Sequence, residues 1–207
     1  MPAEPAQSGD LYDPALLISA LTLLIATLGG LVALYNARKA VLWKRAELAN
    51  SHLKELLGNE ELVFACRCLD WYAGLLVLPK NLRPLLTSGA ETIDHDMSVF
   101  LASTSPTLSL QQMREEPRLQ IYRTALDSLL GWMVSTSSAI ERNLYKPEDI
   151  KEAEYWLKMI VVNEAIMSFA DAYGYTTPLV RLSKLYGLAL PRVAVPQAGE
   201  AEAQKKD

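Results

Sequence analysis

The chain has 207 residues, half of them hydrophobic, with a formal net charge of −4, two cysteines and two histidines. Two cysteines exclude a disulfide framework, and ordinary Gly and Pro contents exclude collagen-like and disordered classes. With 20 basic against 24 acidic residues, a strongly basic nucleic-acid binder is also excluded, and no nucleic acid is expected as a partner.

Residues 1–14 contain Glu4, Asp10 and Asp13 but no basic side chain. They therefore lack the n-region of a cleaved signal peptide and read as a short extracytoplasmic N-terminus. From Ala15 to Tyr35 there are 21 residues without a charge, dominated by Leu, Ile, Val and Ala. A helix of about 20 such residues crosses a hydrocarbon core of roughly 30 Å, so the block predicts a transmembrane helix over 15–35. Arg38, Lys39, Lys44 and Arg45 follow the block and no cation precedes it. The positive-inside rule then keeps the C-terminal side in the cytoplasm, with these four side chains against lipid headgroups. Tyr12, Tyr35 and Trp43 suit an interfacial aromatic belt. Ser19, Thr22, Ala26, Gly29 and Ala33 recur at spacings of three and four, a stripe of small residues along which a second copy of the helix can approach closely. The lipid bilayer and self-association are the partners this segment implies, together with a protein partner that the sequence does not name.

No proline interrupts residues 15–57, so the helix is expected to run on through a juxtamembrane stretch, 36–57. There Leu42, Ala46, Ala49, Leu53 and Leu56 repeat in heptad fashion, a seam for a neighbouring helix. Residues 58–191 read as a cytoplasmic helical domain. Asn59 followed by Glu60 and Glu61 starts a second helix, expected to reach about Leu78, with Arg67 and Asp70 as its narrow polar stripe. Residues 80–118 are irregular, with a short helix expected around Asp94 to Leu101. Pro117 opens a third helix toward Asn143. Pro147 opens a fourth that ends at Gly174, and Thr177 caps a last one to about Leu190. Residues 192–207 read as a disordered tail. No segment shows bounded period-two alternation, so the expected class is all-α: one transmembrane helix continuing into a bundle of four or five helices.

Phosphate loops, dinucleotide and nucleophile-elbow motifs, paired CxxC and EF-hand loops are all absent from the sequence. Cys66 and Cys68, two apart on a helix, point about 200° from each other and cannot clasp one metal. His52, then His95 with Asp96, then Asp127 or Asp171, has the ligand order of the all-helical HD-type metal-dependent phosphohydrolases, though the Gly usual after that doublet is replaced here by Met97-Ser98. The plainer expectation is a solvated His52, a helix N-cap at Asp94 or Asp96, and an exposed His95. Arg67 with Asp70 and Arg123 with Asp127 read as helix ion pairs, and Asn163 as a hydrogen-bonded core residue.

The span ending in Arg38-Lys39, then Gly58-Asn59-Glu60-Glu61-Leu62 leading to Leu69-Asp70-Trp71, His95-Asp96, Tyr122-Arg123 with Asp127, Tyr155-Trp156-Leu157 and Tyr173-Gly174-Tyr175 together resemble a family of uncharacterised bacterial single-pass membrane proteins with a cytoplasmic helical domain. The resemblance implies a bacterial inner membrane and carries over no activity. The resulting expectation is a membrane-anchored helical scaffold or interaction protein without catalysis or cofactor. Its alternatives are a membrane-tethered HD-like hydrolase built on His52, His95 and Asp96, and a membrane-acting defence or stress effector.

Overall fold

The computed structural model describes residues 14–86 and 89–188. The expected tail 192–207 and, apart from Pro14, the N-terminal stretch 1–14 lie outside the described residues. The chain divides into two units, one up to Arg45 and one from Ala46.

The first unit is the apolar part of one long helix, α1 (Pro14–Gly58). Every side chain from Ala15 to Lys44 is exposed, including Leu16, Ile18, Leu23, Ile25, Leu31 and Val32. The helix is long and apolar enough to cross a membrane. Hydroxyls in this stretch are satisfied within the helix: Ser19 Oγ donates to the Ala15 carbonyl at 2.8 Å, Thr22 Oγ1 to Ile18 at 2.8 Å and Thr27 Oγ1 to Leu23 at 2.7 Å. That internal bonding is what an apolar solvent demands of a polar side chain.

The second unit begins with the last turns of α1, from Ala46. It continues through α2 (Glu60–Asp70), β1 (Ala73–Val77), β2 (Thr92–Asp96), α3 (Met97–Ser103), α4 (Leu110–Glu115), α5 (Pro117–Glu141), α6 (Glu152–Val162), α7 (Glu164–Ala172) and α8 (Thr176–Leu185). The fold is mostly helical, as expected. At its centre lies α5, whose residues Ile121, Tyr122, Leu126, Leu129, Leu130, Met133 and Ile140 are buried among α2, α3 and α8. Pro117 occupies the first turn of α5, where its missing N–H leaves nothing unbonded.

Several local expectations fail for identifiable reasons. The class is not purely all-α: β1 and β2 pair antiparallel, with Leu76 opposite Ile93 and Gly74 opposite His95. Period two is hidden in β1 because its outward residues Leu75 and Val77 are as apolar as inward Leu76, and in β2 because the inward partner of Ile93 is a histidine. The second helix therefore stops at Asp70, eight residues before Leu78, and Trp71 already has extended backbone. The helix expected from Asp94 begins only at Met97. The fourth helix is also two. Asn163 is half-buried and is not a core residue; it caps α7 by accepting from the N–H groups of Ala165 at 3.1 Å and Ile166 at 3.2 Å. Asn59 caps α2 in the same way, from Glu61 and Leu62. Gly174, with φ of +79°, takes the left-handed conformation after α7 that a side chain disfavours.

Candidate functional site

The chemistry-bearing residues gather at two places in the second unit, one around each histidine. Along the last turns of α1, Ala49 and Leu56 are buried and Leu53 is packed against the core. The C-terminal half of the heptad seam is thus filled by the chain's own body. Leu42 and Ala46, in its other half, are exposed.

His52 sits in the same row and is not solvated. Its ring stacks on Trp132 of α5 with centroids 4.7 Å apart and planes 10° from parallel, and Tyr145 lies 5.8 Å away. Nε2 meets Thr136 Oγ1 at 2.9 Å and Nδ1 faces Glu55 at 3.3 Å. Thr136 Oγ1 also donates to the Trp132 carbonyl at 2.9 Å, and the single proton of a neutral imidazole is shared between the Thr136 and Glu55 contacts. Burial lowers the His52 pKa, and the Glu55 carboxylate partly opposes that shift. The order carboxylate, imidazole, hydroxyl matches that of a nucleophilic relay, but Thr136 is fully buried inside α5 and its proton is already placed. The arrangement does packing work. It is also the least satisfied part of the core: Trp132 Nε1, Ser137 Oγ and Tyr145 Oη are buried without a hydrogen-bond partner among the described residues. Each such group costs about 1–3 kcal/mol. Burial pushes the Tyr145 phenol up to about 12, so it stays neutral. Tyr145 also lines a cleft of about 380 Å³ together with Lys146, Arg181 and Leu185, and Arg181 is paired with Glu141 at its edge.

His95 is buried rather than exposed, on the inward face of β2. Its Nε2 donates to the Trp71 carbonyl at 2.9 Å, Nδ1 meets the Tyr122 hydroxyl at 3.2 Å, and Phe100 and Tyr122 meet the ring edge-on. Its neighbour Asp96 is the N-cap of α3 and accepts from Ser98 Oγ at 2.6 Å and Ser98 N at 2.7 Å, which together hold its carboxyl below the usual range. Both nitrogens of each histidine are therefore committed to protein partners. Among the described residues no three His, Cys, Asp or Glu side chains come together as a metal site.

The expected helix ion pairs are replaced by longer-range contacts. Arg123 lies over the rings of Phe169 and Tyr173, 5.0 Å from each centroid, and donates to the carbonyls of Ser103 and Ser105 and to the Tyr173 hydroxyl. Asp127 accepts from Tyr175 at 2.6 Å, and Asp70 accepts from Tyr155. These contacts bind α5 to α7 and α2 to α6, work that sequence spacing assigned to local pairs. Cys66 and Cys68 are buried free thiols; burial, with the Asp70 charge second, pushes Cys66 up to about 12 and so keeps it unreactive. Ser19, Thr22, Ala26, Gly29 and Ala33 are all exposed, as are Arg38, Lys39 and Lys44, whereas Arg45 is half-buried. No family model, curated protein or solved structure matches this chain, so the resemblance noted from the sequence adds nothing to the reading of either histidine cluster.

Proposed function

We propose that the protein is a single-pass, membrane-anchored helical scaffold that holds an interaction domain on the cytoplasmic face of the inner membrane and self-associates through its membrane helix. One observation carries this reading. Helix α1 is exposed from Ala15 to Lys44, carries no charge as far as Tyr35, and becomes a packed core element from Ala49 onward, without a break. An apolar helix surface of that length calls for lipid, and the cations Arg38, Lys39 and Lys44 come where headgroups would lie. With both imidazoles committed to protein partners, binding and not catalysis is the function the geometry supports.

Carbonate extraction combined with a reporter fused after Asp207 tests the topology: the protein stays in the membrane pellet and the reporter is cytoplasmic. Release into the supernatant, or a periplasmic reporter, overturns it. Cross-linking in membranes tests self-association. Gly29→Leu and Ala26→Leu reduce the cross-linked dimer, because the larger side chain separates the backbones, while Thr27→Leu, off the stripe, leaves it unchanged. Equal dimer in all three variants and the unmodified protein overturns the stripe.

A further inference from the structure

The two edges of the small sheet end differently. Beside the outer edge of β2 lies α5, where Arg118 Nη1 reaches the Asp94 carbonyl at 3.5 Å. The outer edge of β1 has no such cover. Met97 N donates to the Tyr72 carbonyl at 3.0 Å and Leu78 N to the Glu91 carbonyl at 2.8 Å. In an antiparallel ladder the bonded positions alternate, which puts Gly74 and Leu76 toward β2 and turns the N–H and C=O groups of Ala73, Leu75 and Val77 outward. Among the described residues none of those outward groups has a hydrogen-bond partner. The same three side chains are exposed, with Tyr72 beside them, and the strand carries no charge and no proline to discourage pairing.

Helix α2 returns alongside this strand. Lys80 N donates to the Glu60 carboxylate at 3.1 Å and Asn81 Nδ2 to Glu61 at 2.5 Å, tying the end of β1 to the start of α2. Between them lies a groove of about 300 Å³ lined by Leu57, Val63, Val77, two cations, Arg67 and Arg83, and one carboxylate, Glu60, which the Lys80 N–H holds. Arg83 is neutralised by Glu91 at 2.6 Å. Arg67 is exposed, and among the described residues its guanidinium has no partner.

We propose that this groove receives an extended peptide of a partner protein, apolar and carrying a carboxylate, which adds to β1 as a third strand and sets the carboxylate on Arg67. The unpaired backbone groups supply the directional bonds, and Leu57, Val63 and Val77 take the apolar side chains. Asp94 and Asp96, on the outward face of the sheet, repel a carboxylate on that side and leave Arg67 as its seat. A second copy's β1 is a poorer occupant, because its own flanking α2 would meet the α2 of the first. The site deepens the scaffold reading and rests on it only for location.

Fluorescence anisotropy on the full chain in lipid nanodiscs tests the site. The probe is a labelled peptide of alternating valine and threonine ending in two glutamates, beside a lysine-ended version and one N-methylated at alternate amides. The glutamate peptide binds saturably, and N-methylation weakens it at least tenfold. Leu75→Pro weakens it as much, since that N–H lies outside the β1–β2 ladder and its loss spares the hairpin. Arg67→Glu reverses the preference to the lysine-ended peptide. If Leu75→Pro unfolds, the N-methylated probe on the unmodified protein decides. Absence of saturable binding, or equal binding of the N-methylated peptide, overturns the proposal. So does a dimer that persists in Gly29→Leu, where the membrane-helix contact is lost, and that Leu75→Pro dissociates, which gives the edge to a second copy. All three arms can fail while carbonate extraction still succeeds, so this site and the membrane reading fall separately.

Discussion

Helix α1 and helix α5 are both rich in aliphatic residues, yet α1 buries no side chain from Ala15 to Lys44 and α5 buries eleven, from Ile121 to Ile140. In α5 the apolar residues occupy the sides that face α2, α3 and α8, and polar residues take the rest, among them Arg118, Arg123, Asp127 and Ser128, each bonded to another element. In α1 the apolar residues go all the way round. A helix with one apolar side selects protein neighbours; a helix apolar on every side selects a solvent. Aliphatic content by itself does not name a partner; the angular distribution of polar groups around the helix does.

The largest effect is expected at the centre of the packed helix. Tyr122→Ala removes a fully buried ring that touches Phe64, Phe100 and His95 and should lower stability by about 3–5 kcal/mol, read as a drop in the denaturant midpoint of the second unit's unfolding in detergent. If α1 were an ordinary surface helix, Leu24→Arg would be harmless. In lipid an arginine at mid-span disfavours insertion by about 3 kcal/mol, seen as protein shifted into the carbonate supernatant. Together the two substitutions separate packing from solvation.

Smaller effects sharpen the boundaries. Asn163→Ala removes the side chain that accepts from Ala165 and Ile166 at the α6–α7 break, and should cost about 1 kcal/mol without changing the oligomer. The smallest expected effect is a pH dependence at the seat of α1. Burial holds the folded pKa of His52 below its ordinary 6.5. Above that pH the imidazole is neutral in both the folded and unfolded states, and His52 contributes no slope. As pH falls through 6.5 the unfolded chain takes up the proton first, so stability declines with acidity until the folded pKa is passed. His52→Gln should flatten that part of the stability-against-pH curve, while His95→Gln should lower stability at every pH by breaking contacts to Trp71 and Tyr122.

What sequence alone determined is whatever rests on one-dimensional pattern. The uncharged block from Ala15 to Tyr35, the cations behind it, the capped start at Asn59 and the proline start of α5 are each properties of neighbouring residues, so helix existence and the apolar span were legible. Tertiary structure decided everything that depends on which side of a residue meets the core. The hairpin was invisible because an exposed Leu75 and a buried His95 invert the usual polarity of outside and inside. Arg123 and Asp127 looked like a local pair because helix spacing makes them neighbours, but aromatic residues on α7 and at the start of α8 supply Arg123 with two rings and a hydroxyl and Asp127 with a phenol donor. His52 looked solvated because α1 reads as polar there, and only the apposed Trp132 and Thr136, some eighty residues on, made it a core residue. Spacing along a chain reports the angle between side chains, whereas burial depends on which other segment covers that angle, and that segment lies elsewhere in the sequence.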